Sequence, residues 1–233
     1  MNVNAPFPGT SRGAFVARVS AALERKAPIT PADAAPPPPA TVNESVVRVV
    51  GAGEDLPDVF AKRAAAAGMM VHKTTGAALT DDLVALVDSL AAGRVAIQDR
   101  DSLAGVLSAL RHRGRKADLG GTVDFAALYD VDAGITDVQA AIAETGSLVC
   151  SSGSGRGRGL SLVPPLHIAV VWCSQIVPDL VDYWASHAGS LPQTLPSSIV
   201  LITGPSKTAD IEGVLITGVH GPREVHVMLV LDA

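Results

Sequence analysis

The chain closes on "EVHVMLVL", 224–231, where apolar residues follow one another with little polar interruption. A strand with one wet face alternates apolar and polar residues. One without that alternation is buried on both faces, as in the interior of a parallel sheet covered on either side. "LHIAVVW", 166–172, has a similar β-rich character, and shorter runs of this kind stand at 46–50, 69–74, 94–98, 146–151 and 197–203. Helical patterns lie between them. Residues 57–67 begin with Pro57 and are followed by Gly68, the usual asymmetry of helix ends. Residues 81–91, capped by Thr80, carry Leu83, Val87 and Leu90 at helical spacing with Gly93 beyond, and 102–112 follow. Ser174 is expected to cap a helix reaching 187, with Ile176, Val177, Leu180, Val181 and Trp184 on one stripe and Pro178 in the first turn. "KTADIEGVL", from Lys207, is expected to open a short helix. The alternation predicts an α/β fold with a mostly parallel sheet and helices on both faces.

An arm precedes this body. Residues 11–25 read as an amphipathic helix capped by Ser11, with Phe15, Val16, Val19 and Leu23 on one face. "ITPADAAPPPPA", 29–40, ends it, because a proline cluster favours an extended linker. The expected division is a helical arm and linker over 1–40 and an α/β domain over 41–233.

Composition narrows the function classes. With 48% apolar residues the chain is globular, and with 3% aromatic residues it has no stacking platform for single-stranded nucleic acid. A net charge of −5 gives no general attraction for phosphate backbones or anionic lipid. The basic run "RHRGRK", 111–116, reads first as a solvated helix end. Cys150 and Cys173 lack CxxC spacing, so neither zinc nor an iron–sulfur cluster can be built from them alone. No signal peptide and no membrane-spanning run is seen, and the expectation is a cytoplasmic protein with reduced thiols.

Ligands on open α/β sheets bind beyond the carboxyl ends of strands, and three segments are expected there: 152–160, 203–212 and 217–222. In "TGPSKTADIE", from Thr203, a strand followed by Gly204, Ser206, Thr208 and Asp210 would set free N–H groups at a helix N-terminus, an anion site; equally, Ser206 or Thr208 only caps the helix. It is no Walker loop, because Ser206 stands where that motif needs glycine. "GSGRGRG", 153–159, fails the dinucleotide fingerprint in every register. Its Gly155 could let backbone approach a ligand, and Arg156 and Arg158 could pair with a carboxylate or phosphate; a surface loop with solvated arginines is the other reading. Glu144 ends "QAAIAE" and is either a buried carboxylate in need of a partner or an exposed element-end residue. His167 reads as a core histidine, whereas His220, between glycines, more plausibly faces a site. The histidines show no metal spacing.

Three ordered segments, "DAGITDVQAAIAETGSLV", "GRGLSLVPPLHIAVVWCSQIVPDL" and "GPSKTADIEGVLITGVHGP", closely resemble the lactate-utilization (LUD) domain family, in particular its lactate utilization protein C type. The resemblance runs from about Asp132 to the C-terminus, and "SRGAFVARVSAAL" is similar to that family's N-terminal arm. It implies a three-layer α/β/α fold similar to the sugar-phosphate isomerases and CoA transferases, and a component of the system that oxidises L-lactate to pyruvate. It further implies partner subunits carrying iron–sulfur clusters; joined to the absent cofactor motifs and the unattached N-terminal stripe, it leads to the expectation of an accessory subunit without a redox cofactor of its own that binds a small anionic ligand. CoA transferases of the related fold use the glutamate of a Glu-x-Gly turn as nucleophile, and Glu144-Thr145-Gly146 has that form. On that analogy Glu144 is catalytic, Thr145, Gly146 and 153–159 hold an anionic group, and the Ser206–Asp210 segment holds another. The alternative function is therefore an enzyme acting on a carboxylate- or phosphate-bearing substrate, although the chain shows no obvious adenine pocket and no second CoA-transferase half. A lactate or pyruvate sensor ranks last, for lack of a DNA-binding signal.

Overall fold

A computed structural model describes residues 11–23, 43, 48–51, 53–121, 123–124, 126–187, 196–211 and 214–232. The chain divides into two compact units, Met1–Val47 and Arg48–Ala233. In the first, α1 (Arg12–Ala22) starts where Ser11 Oγ accepts the Ala14 N–H at 3.2 Å. Its apolar side chains Phe15, Val16 and Val19, and Leu23 just beyond, are exposed. The proline-rich stretch 29–40 and the expected helical residues 24–25 lie outside the described residues.

In chain order the second unit comprises α2 (Leu56–Ala66), β1 (Met70–Thr74), α3 (Leu79–Ser89), β2 (Arg94–Ile97), α4 (Ala104–His112), β3 (Lys116–Leu119), β4 (Ala133–Asp137), β5 (Ala140–Ile142), β6 (Ser147–Ser151), β7 (Leu166–Trp172), β8 (Ile176–Val177), α5 (Leu180–Ala185), β9 (Ile199–Ile202), β10 (Lys207–Ile211), β11 (Val214–Thr217) and β12 (Glu224–Val230). Six of these strands form the central sheet in the order β1-β12-β7-β4-β2-β3, and every neighbouring pair is parallel. The two apolar runs that announced a parallel sheet, β7 and β12, lie side by side inside it.

Strand alternation assigns the faces. On the first face Ile135, Ile168, Val170, Met228 and Val230 pack on Leu83 and Val87 of α3 and Val106 and Leu110 of α4. On the second face Ala169, Val171, Val227 and Leu229 pack on Phe60 and Ala64 of α2 and on Ala141 and Leu148 of a smaller sheet. That sheet has the order β8-β5-β6-β9, and Tyr183 of α5 packs on its other side against Ala140, Ile142 and Val149. The expected α/β architecture is present, and helix and small sheet share the second flanking layer. No helix among the described residues is long and apolar enough to cross a membrane.

Several local expectations are corrected. Residues 48–50 form no strand, and 46–47 lie outside the described residues; Arg48 instead clamps Asp182 at 2.6 and 2.8 Å and Asp179 at 3.1 Å. Thr80 lies inside α3, and the Thr75 hydroxyl accepts the Ala78 N–H ahead of it at 3.3 Å. The helix expected from Ser174 is interrupted: Ile176 and Val177 pair with β5, and Asp179 caps the short α5 by accepting the Asp182 N–H at 2.8 Å. β-Branched side chains and the missing N–H of Pro178 favour that extended start. The segment from Lys207 forms an antiparallel hairpin, β10 with β11, in place of a helix; its Thr208, Ile211, Val214, Ile216 and Thr217 are strand formers. Arg111 of the basic run lies in the last turn of α4. Arg115 holds Asp88 at 2.7 Å and Arg111 Nε donates to the Ala117 carbonyl at 2.8 Å.

Two features of the interior make testable demands. Gly134, in the middle of β4, faces the Leu160 carbonyl so closely that a Cβ would collide with it. Gly134→Ala should destabilise by about 1–3 kcal/mol through overpacking, measured by urea unfolding; an unchanged midpoint would contradict the close approach. His167 is fully buried with Nε2 at 2.8 Å from Thr136 Oγ1, and burial pushes its pKa down to about 4. The unfolded chain binds this proton more readily. The stability held above the ordinary histidine pKa is therefore lost as pH falls from about 6.5 towards 4, up to an order of 3 kcal/mol. Replacing His167 with Gln should flatten that part of the stability–pH curve; equal slopes in both proteins would refute the assignment.

Candidate functional site

β2 and β4 are neighbours, yet their chains leave in opposite directions: β2 leads to α4 on the first face, β4 to the small sheet on the second. Such a switch point opens a crevice beyond the carboxyl ends of the two strands. Asp137 ends β4 there, and Gln98, Arg100 and Ser102 follow β2. The Asp137 carboxylate is buried. Oδ1 accepts from Gln175 Nε2 at 3.1 Å, Oδ2 accepts from the Ser102 hydroxyl at 3.0 Å, and Arg100 Nε stands 4.0 Å from Oδ2. The buried Gln98 fixes the strand end, its Oε1 accepting the Asp137 N–H at 2.9 Å. Gln175 is held in turn through the Trp172 N–H at 2.9 Å and the Val138 carbonyl at 2.8 Å.

The glycine-rich loop reaches this crevice. Gly155 adopts φ +70°, lies tight against the Asp99 carbonyl, and accepts the Asp99 N–H at 3.2 Å. The left-handed backbone and the close approach both require glycine. Arg156 follows at once, donating from Nη1 to Ser151 Oγ at 3.0 Å. The Nε atoms of Arg100 and Arg156 are both buried without a hydrogen-bond acceptor among the described residues. Nearby Cys150 is buried, and desolvation pushes its thiol up to about 12; Asp137 acts in the same direction and Arg156 opposes it. Burial thus keeps the Cys150 thiol protonated at neutral pH. Arg100 stands beside the Asp137 carboxylate, and Arg156 is near enough that both it and Asp137 act on Cys150. Asp137 keeps unused acceptor capacity beyond its two hydrogen bonds. That combination suits a small anion that also carries a hydroxyl group. Among the described residues no group of three or more His, Cys, Asp or Glu side chains could hold a metal ion.

The residues singled out from sequence are dispersed. Gly155 and Arg156 lie in the crevice, and the exposed Arg158 starts the short turn Arg158–Ser161 beside it. Glu144, Thr145 and Gly146 lie at the other end of β6. Its 5 residues, at about 3.3 Å each, put roughly 15 Å between that turn and the arginine loop. The turn is shaped by packing. Gly146, with φ +67°, abuts the Arg63–Ala64 backbone of α2, the Glu144 N–H donates to the Pro178 carbonyl at 2.9 Å, and Thr145, Ser147 and Thr203 hydroxyls form a chain with spacings of 2.7 and 2.6 Å. Gly204, φ +99°, abuts the Ala67 carbonyl at the end of the same helix.

Segments 203–206 and 217–222 are not at the carboxyl end. The first joins β9 to β10 and the second leads into β12, and with Ser161 and Leu162 they line a hollow of about 190 Å³ at the amino end of the sheet, where Thr203, Gly204, Ser206 and His220 meet. The Ser206 N–H donates to the Pro222 carbonyl at 2.8 Å, and its carbonyl accepts the Gly218 N–H at 2.8 Å, so no row of free amides faces a ligand. Thr208 and Asp210 sit in β10, and the helix-terminus anion site proposed for them is absent because no helix follows. Asp137, Gln98, Ser102, Arg100 and Gln175 escaped the sequence reading. The signal for three of them was "IQDRDS", directly after a strand.

Comparison with known proteins bears on this arrangement. Residues 58–230 match the LUD domain. A protein of Geobacillus sp. (strain WCH70) named lactate utilization protein C is 39% identical over 112 residues, covering 47% of this chain and 46% of the relative. The protein of that name from Bacillus subtilis (strain 168) is 42% identical over 101 residues, 42% of each chain. The matched segments therefore span less than half the length of these relatives. The crystal structure of a DUF162 family protein from Deinococcus radiodurans aligns with a TM-score of 0.55 at 26% identity, over 75% of this chain and 96% of that one. With the match extending from the start of α2 to the last strand, the chain belongs to the LUD domain family.

Proposed function

We propose that the chain is a component of a lactate utilization system that oxidises L-lactate to pyruvate. In this reading it acts as an accessory subunit without a redox cofactor of its own, beside partner subunits that carry iron–sulfur clusters. The observation that carries the reading is family membership joined to relatives named lactate utilization protein C at about 40% identity. The crevice at Asp137 supports it. Arg100 and Arg156 suit a small carboxylate, and the spare acceptor capacity of Asp137 suits a hydroxyl on the adjacent carbon. The rival reading makes Glu144 a catalytic carboxylate on a phosphate- or acyl-bearing substrate. It draws no support from the arginine loop, which lies at the far end of β6.

Deleting the gene should abolish growth on L-lactate and spare growth on pyruvate. Normal growth on lactate would overturn the proposal. Complementation separates the two sites. Arg156→Gln should restore little lactate growth, because a charge-assisted contact is worth roughly a tenfold or greater change in affinity, and Glu144→Gln should restore it fully. The opposite pattern would move the function to the Glu144 turn.

A further inference from the structure

A second group of polar side chains lies on the first face of the sheet, away from the crevice. His226 of β12 is buried, and its Nδ1 lies 3.1 Å from His72 Nε2 of the edge strand β1. The ring centroids are 5.4 Å apart with 13° between the planes. So large a centroid separation beside so short an N···N distance puts both nitrogens on the line joining the rings, so the imidazoles meet head-on. A metal ion shared by two imidazoles needs about 2.0–2.1 Å to each nitrogen, and nitrogens aimed at each other at this spacing leave no room for one. They share a proton instead. At its other end His226 Nε2 makes no hydrogen bond of standard geometry, and the Glu224 carboxylate faces it at 3.5 Å. Burial, with His72 acting in the same direction, holds His226 below the ordinary histidine pKa, and Glu224 opposes them.

The tautomers follow in sequence. The Glu224 carboxylate is the acceptor that faces Nε2, 3.5 Å away, which places the proton of neutral His226 on Nε2 and its lone pair on Nδ1. His72 must then carry its proton on Nε2 and donate to that lone pair. The lone pair of neutral His72 is left on Nδ1, which has no hydrogen-bond partner among the described residues. His72 borders a hollow of about 410 Å³ between β1 and α3, with Asp82, Leu86, Ser89 and Met228. The charged residues on its wall are Asp82 and Lys73, whose ammonium is held by Asp58 at 2.7 Å, and the Glu224 carboxylate lies behind His226. Asp82 accepts from the Thr74 hydroxyl at 2.6 Å. β7 presents the uncharged Leu166, Ile168, Val170 and Trp172 to this face, and His167 lies on the other.

We propose that Glu224, His226 and His72 form one proton relay whose outer atom, His72 Nδ1, makes this hollow a second ligand site, for a small molecule that presents an O–H or N–H donor. The surrounding carboxylates favour a neutral or cationic donor over an anion, the reverse of the crevice at Asp137. The carboxylate behind two imidazoles orients them and fixes which nitrogen of each carries the proton, as the orienting acid does in hydrolytic triads.

Two measurements on the intact protein test this. Long-range ¹H–¹⁵N correlation spectra at neutral pH should show both His72 and His226 protonated on Nε2. Diethyl pyrocarbonate should modify His72 roughly three- to tenfold more slowly in Glu224→Gln than in the parent, given the support a charged acceptor lends, while the exposed His112 reacts at an unchanged rate. Glu224 is partly exposed, so the variant should fold. His72 found protonated on Nδ1, or a His72 modification rate indifferent to Glu224→Gln, would overturn the relay.

Discussion

The arrangement depends on one close approach. Gly134 lets the Leu160 carbonyl settle onto the middle of β4, where any side chain would hold it off. That contact presses the Arg158–Ser161 turn onto the second face and seats Leu160 among Ala96, Leu128 and Val131. With one end of the loop pinned there and the other leaving β6, Gly155 is brought against Asp99 and Arg156 beside the end of β4. The loop that looks most like a flexible phosphate cradle in sequence is thus a strap held at both ends.

The chemistry of the crevice follows from that placement and from connectivity. Parallel strands that send their chains to opposite faces leave a gap at their carboxyl ends. Here the gap receives a buried carboxylate and two guanidinium groups. Burying Asp137 is tolerable because Gln175, Ser102 and Arg100 compensate it. The histidine relay lies on the first face at the β1 edge of the sheet, with the Asp82 and Glu224 carboxylates near it. One sheet therefore carries two polar sites of opposite electrostatic preference.

Much of the fold was legible because β7 and β12 are apolar on both faces, and because Pro57 and Gly68 mark the ends of α2. β4 was not, since "AGITD" is small and mixed, and with it went Asp137, whose role depends on ending a strand. The segment from Lys207 misled because Thr, Ala and Asp read equally as a helix start; pairing of β-branched residues across a hairpin decided for strand. Glu144 and the arginines are 12 to 14 residues apart in sequence, which suggested one pocket. An extended β6 carries them to opposite ends of the small sheet instead. Sequence proximity says little about spatial proximity once a strand intervenes.

The proposed role rests on recognition of a small hydroxy-carboxylate at the switch-point crevice. Titrating the ¹⁵N-labelled protein with L-lactate tests it directly through the Arg Nε–H resonances and the backbone amides. Saturable shifts are expected at Arg100, Arg156, Ser102 and Asp137, with the Glu144–Gly146 turn unmoved. Shifts confined to Glu144–Gly146, or no saturable shift at millimolar lactate, would contradict it.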